Sequence, residues 1–151
     1  MSFSVVPEQR STNVPFRLRL LARLTVTVAW LLIRLSPGRQ RRVLSVAARR
    51  ARPATYEKTL DCRQAVVTVS RKCAGLGCLQ RAVATALLCR MHGTWPEWCT
   101  GVRTEPFRAH AWVEAEGRPV GEGDDIRLFH KMLHIPATTT GSAATTERRR
   151  P

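Results

Sequence analysis

Apolar residues stand at Phe16, Leu20, Leu21, Leu24, Val28, Leu31, Leu32 and Leu35. Recurrence every three or four residues predicts a helix, opened near Asn13 and Pro15 and closed by Ser36-Pro37-Gly38. Ser36 as N-cap and Pro37 at the first helical position then predict a second helix, RQRRVLSVAARRA, ending before Pro53. A third is expected from about Tyr56 to Lys72, carrying Leu60, Val66, Val67 and Val69. The two glycines of CAGLG interrupt it. Beyond them, CLQRAVATALLCRMHG sets Leu79, Ala82, Val83, Ala86, Leu87 and Arg90 at helical spacing, with Gly93 suited to the C-cap. Cys78 therefore falls in the first turn of that helix.

After Gly93 the period shortens to two. Strands are expected over roughly Trp98 to Thr104, Phe107 to Glu114 and Arg118 to Glu122, the last two as a hairpin. In the middle strand Phe107, Ala109, Ala111, Val113 and Ala115 alternate with Arg108, His110, Trp112 and Glu114, so one face is apolar and the other carries a histidine beside a tryptophan. In LFHKMLHIP, His130 and His134 stand four apart and would share one face of a helix as metal ligands. No third ligand accompanies them, and a solvated helix face is the better reading. Helices first and strands afterwards make an α+β fold.

Charge and composition narrow the class. The chain of 151 residues has a net charge of +14, carried by 22 arginines against 3 lysines, and 11 of the basic residues precede Pro53, where Glu8 is the only acid. Residues 1–13 and the tail 136–151, PATTTGSAATTERRRP, lack large periodic apolar residues and are expected to be disordered. Between them lie a basic amphipathic helical section, 14–53, and a core, 54–135. No aromatic residues alternate with the arginines and no zinc-finger or RNP pattern occurs, which argues against nucleic acid. LTVTVAWLLI, the strongest apolar run, falls short of the ~20 residues that span a bilayer. Arginines on both of its flanks oppose export, so a cytoplasmic protein is expected. The basic helices read as a solvated face or as a docking surface for a protein partner or membrane. Five cysteines, an odd number, indicate free thiols. Cys89 and His92 have C-x-x-H spacing without a second pair, so neither zinc nor any other cofactor is expected.

The chemistry centres on Cys78. A thiol at a helix N-terminus meets unpaired amide groups and the positive end of the helix dipole, which favour thiolate. Gly75 and Gly77 let the chain turn tightly before it. His110 can serve as its base. The hairpin suggests a third member: with a three-residue loop Ala115-Glu116-Gly117, Glu114 pairs with Arg118, Val113 with Pro119 and His110 with Glu122, whose Cβ atoms would lie about 5 Å apart. A two-residue loop at Glu116-Gly117 would instead set Gly123 opposite His110 and turn Glu122 away. The longer loop satisfies more of the sequence. Cysteine on a helix with histidine and carboxylate on adjacent strands is the arrangement of papain-like and transglutaminase-like folds.

GLGCLQRA followed by PFRAHAWVEAEGRPVGE resembles the leader peptidase of lasso-peptide maturation, the peptidase half of the B protein, a transglutaminase-like cysteine protease. The resemblance covers about residues 58 to 126. It implies that Cys78 is the nucleophile, His110 the general base and acid, and Glu122 the orienting carboxylate where many relatives have aspartate. Asp124 or Asp125 could substitute. The 53 residues in front are too few for the winged-helix leader-binding domain of fused relatives, so the chain resembles the split form. That form works on a precursor peptide with a separate leader-recognition protein, ahead of an ATP-dependent macrolactam cyclase. Trp112 and Arg81 are the remaining candidates for substrate contact; Trp112 fits better as packing over the site, and Arg81 fits a salt bridge within it equally well. The alternatives are a thioester-forming acyl or amine transferase of the same fold, or a non-enzymatic basic adaptor.

Overall fold

In the computed structural model, which describes residues 13–138, five helices come first and most of the sheet follows. The order is α1 (Phe16–Leu32), α2 (Pro37–Ala48), β1 (Arg52–Pro53), α3 (Tyr56–Val69), α4 (Arg71–Ala74), α5 (Cys78–Met91), β2 (Thr94–Trp95), β3 (Glu97–Thr104), β4 (Phe107–Ala115), β5 (Arg118–Pro119), a 3-10 turn (Asp124–Leu128) and β6 (His130–Ile135). The fold is α+β. Most of residues 1–13 and of the tail, both expected to be disordered, lie outside the described residues; Ala137 packs against the core and Thr138 bridges Arg49.

The helices begin where local chemistry starts them. Pro37 occupies the first turn of α2, and the Thr55 hydroxyl caps α3 by accepting from Lys58 N–H at 3.4 Å. The third helix stops at Val69 rather than Lys72. Ser70 is extended there, and its hydroxyl accepts from Cys73 N–H at 3.3 Å, which starts α4 as a separate turn. Gly93 leaves α5 with φ +78°, a conformation that costs glycine nothing.

α5 lies in the middle of the molecule, packed on α1, α3 and the inner face of β4. Val83 and Leu88 on it are fully buried, each worth about 1.5–3 kcal/mol. Ala22 and Ala29 of α1 and Leu44 and Ala48 of α2 belong to the same core as Trp95, Trp98, Ala111 and Val113. The N-terminal helices therefore help to build the core.

The sheet order is β5-β4-β3-β6, all antiparallel, beside a two-stranded parallel pair of β1 and β2. The segment expected as a helix around His130 and His134 is strand β6. Its pairing with Trp98 to Val102 satisfies the backbone groups on the free edge of β3, which no helix could do. Four residues of extended chain also hold His130 and His134 about 13 Å apart, too far to share a metal ion.

The hairpin turn differs from expectation as well. Ala115 pairs with Arg118 and Glu114 with Pro119, leaving a two-residue loop. Glu116 and Gly117 both have positive φ, +53° and +72°, as the type I′ turn that matches strand twist requires. β5 ends at Pro119, so Glu122 is not part of the strand.

Candidate active site

Cys78 opens α5, and Gly77 is the residue that delivers it there. Gly77 N–H donates to Lys72 O at 2.9 Å. A Cβ on Gly77 would lie 2.7 Å from that carbonyl oxygen, so any side chain would push the α4–α5 link outward. The four other cysteines are buried and Cys78 is partly exposed.

β4 supplies the partner. Ala111, Val113 and Ala115 enter the core, which sends His110 and Trp112 to the opposite face. Val113 O accepts from Val120 N–H at 2.9 Å, so the backbone groups of Val113, and by alternation those of Ala111, point toward β5. β5 is too short to reach Ala111. The sulfur of Cys78 comes up to the vacated position, where Ala111 N–H and the His110 ring both favour its thiolate. A short edge strand thus opens the place where the nucleophile sits.

The third group arrives by a route the hairpin register does not describe. Gly121, with φ +65°, turns the chain out of the ladder after Val120. Glu122 is then free of strand alternation, and its Oε2 lies 2.8 Å from His110 Nε2. This leaves Nδ1 of the imidazole for the sulfur. Asp124 and Asp125, the alternative carboxylates, are exposed in the 3-10 turn.

Two arginines hold Glu122 from behind. Arg63 Nη2 lies 3.4 Å and Arg81 Nη2 3.9 Å from Glu122 Oε1, and the carboxylate side chain is only 10 % exposed. Arg63 also leaves no room at Gly121, where a Cβ would approach its guanidinium to 2.8 Å. Arg63 was not among the residues singled out from sequence. The available signal was its place between Leu60 and Val66 on the apolar side of α3, because an arginine there has to find a buried partner. Arg81 donates through Nη1 to Cys73 O at 3.0 Å and Gly75 O at 3.4 Å, so it ties the loop before the nucleophile to the helix after it. This bonding makes Arg81 part of the salt-bridged support of the site.

The imidazole is held on its faces too. Trp112 stacks on it with ring centroids 5.9 Å apart and planes 13° apart, and Phe129 lies 5.4 Å away, tilted. Trp112 is buried, and its Nε1–H donates to Glu114 Oε1 at 2.9 Å, so it packs over the site.

These contacts set the protonation states. Burial pushes the His110 pKa down, but the hydrogen bonds and charges of Cys78 and Glu122 outweigh it and raise it to about 9. Burial pushes Cys78 up, and the His110 ring, Ala111 N–H and the charges of His110 and Arg81 together bring it below its ordinary value. Glu122 follows the same logic: burial opposes ionisation, while His110, Arg63 and Arg81 hold it below the usual carboxylate range. These contacts favour the thiolate form of Cys78 and the protonated form of His110.

Beside the sulfur lies a mainly apolar cavity of ≈ 260 Å³, lined by Leu79, Thr100, Val102, Ala109, Ala111 and Met132 together with Cys78 and His110. Gln80, two residues after the nucleophile, turns away and donates to Val26 O of α1 at 3.1 Å. The N–H of Cys78, with no carbonyl one turn earlier in its helix, is the donor available to a developing oxyanion.

Glu97, Cys99 and Glu114 are the group of potential metal ligands among the described residues, with ligand atoms within 4.8 Å of one another. Lys131 already supplies the cation there, 2.7 Å from Glu114 and 3.5 Å from Glu97. Burial and the charge of Glu114 push the Cys99 thiol up to about 12. The lysine makes this a salt-bridged cluster.

The profile of one protein family, described as the transglutaminase-like superfamily, matches residues 22–134. The chain belongs to the transglutaminase-like superfamily. Its members are generally cysteine proteases and transferases, and the fold suits chemistry of that kind. The match begins within α1 and runs into β6, so it takes in the N-terminal helix as well as the segment around Cys78. Comparison with curated proteins and with solved structures found no match.

Proposed function

We propose that this transglutaminase-like protein is a cysteine endopeptidase that releases the leader from a ribosomally synthesised lasso-peptide precursor. The observation that carries the reading is a partly buried thiol beside an imidazole that a buried carboxylate holds, at the edge of an apolar cavity. The Cys78 thiolate attacks the scissile carbonyl carbon, and the N–H at the start of α5 receives the charge that develops on oxygen. His110 passes its Nδ1 proton to the departing amine, which leaves as the new N-terminus of the core peptide. Water then attacks the thioester, giving one proton to His110. The leader leaves as a carboxylic acid and the sulfur as thiolate, beside the restored imidazolium. Glu122 accepts from Nε2–H throughout and keeps the ring oriented.

The leader-specific part of the proposal rests on GLGCLQRA and PFRAHAWVEAEGRPVGE. On that reading a separate winged-helix protein presents the precursor, and an ATP-dependent cyclase consumes the freed amine. The test is to incubate the full chain with a lasso precursor and its leader-recognition protein and to weigh the products. Two fragments that together equal the precursor plus one water, and that vanish with Cys78→Ala, are expected. An intact precursor overturns the proposal.

A transferase using the same thioester is the second reading, favoured by the superfamily match itself. An added primary amine would then appear in the mass of the acyl product. For a basic adaptor, Cys78→Ala would change nothing.

A further inference from the structure

Helix α1 is apolar on two opposite sides. Ala22, Thr25 and Ala29 are buried on the inner side, which packs on α3 and α5. On the outer side Phe16, Leu20, Leu24 and Leu31 are 78, 58, 54 and 53 % exposed. Their spacing places them in one stripe along the helix, about 22 Å long at 1.5 Å per residue. A helix apolar all round is normally covered on both sides, and a stripe of this size is a mark of interaction.

Three features select what covers it. The first is charge: between Val14 and Pro53 there are ten arginines and no acidic residue. Arg17, Arg23, Arg34, Arg39, Arg41 and Arg42 among them are exposed. The occupant is therefore anionic, and a second copy of this chain would bring the same positive charge. The second is the lack of directional groups. Thr27, the uncharged polar residue on the outer side, donates its hydroxyl to Arg23 O at 3.0 Å. What remains is hydrocarbon along the middle and guanidinium groups at the edges, with Arg34 folded over the Trp30 ring at 3.7 Å. Protein interfaces add directional hydrogen bonds to apolar contact, whereas a lipid boundary needs none. The third is geometry. No described helix is long and apolar enough to cross a membrane, and the inner side of α1 is committed to the core. The helix has to lie along a surface.

We infer that α1 seats the protein on an anionic membrane surface. The stripe enters the boundary between headgroups and acyl chains, and the arginines meet the lipid phosphates. The inference is independent of the substrate proposed above.

The test is flotation of the full chain with vesicles of phosphatidylcholine alone and of phosphatidylcholine mixed with phosphatidylglycerol. Binding to the mixed vesicles, weakened by salt, is expected. Leu20→Gln with Leu24→Gln should abolish it, and Arg17→Gln with Arg23→Gln should weaken it about thirtyfold. All four residues are exposed, so the rate of Cys78 alkylation should be unchanged, which shows that the variants fold. Absence of vesicle binding overturns the inference, as does binding that survives the leucine substitutions. Retention by an acidic protein through the same leucines, without vesicle binding, overturns it in favour of a protein surface.

Discussion

His110 Nε2 and Glu122 Oε2 lie 2.8 Å apart although Glu122 belongs to no strand. The contact depends on the turn at Gly121 and on the arginines behind the carboxylate. Glu122→Gln should remove the charge that stabilises the imidazolium, so His110 falls in pKa and Cys78 rises. The midpoint of Cys78 alkylation against pH is expected to move up by about one unit or more. An unchanged midpoint would sink this role for Glu122.

Cys78 should be the first thiol modified by a small alkylating reagent. Cys62 is also lowered, by its hydrogen bond with Cys89, but it is only 2 % exposed and reagents do not reach it in the folded chain. Peptide mapping after brief iodoacetamide treatment near neutral pH should find the label on Cys78. Label on Cys62 or Cys89 first would exclude the thiolate–imidazolium pair.

Peptidase activity should be bell-shaped in pH. The acid limb follows Cys78, whose pKa lies below its ordinary value, so thiolate forms as pH rises through that lowered value. The alkaline limb follows His110, because the amine leaves only if the imidazole is protonated; activity should fall as pH rises through about 9. Both limbs belong to the coupled pair. Alkylation, which needs no proton donor, should keep the acid limb and lose the alkaline one.

Arg63→Met should destabilise the fold and disturb the site together. The Arg63 side chain is 4 % exposed against Glu122, and removing one partner of a buried pair costs about 3–5 kcal/mol. Urea unfolding measures the loss. The Cys78 alkylation midpoint should also shift, and Arg63→Lys should restore part of both. A stability loss without any change in the midpoint would leave Arg63 with a packing role alone.

Sequence alone determined the features whose cause lies within a few residues. Proline at the first position of α2, the Thr55 cap and Gly93 set helix ends through local hydrogen bonds and allowed backbone angles. Alternation in FRAHAWVEA set strand β4 and sent His110 to one face. Cys78 could be placed at a helix start for the same reason. Tertiary structure decided what depends on distant partners. A stretch with ambiguous spacing, His130–Ile135, became a strand because β3 had a free edge to satisfy. The turn at Glu116 and Gly117 shifted the register by one residue, which on strand alternation alone would have turned Glu122 away. Glu122 reached His110 because Gly121 left the ladder and because Arg63, 59 residues earlier in the chain, waits for its carboxylate. No local pattern contains that pairing: desolvation makes a buried arginine and a buried glutamate seek each other, and only the packing of α3 against the end of the hairpin brings them within reach.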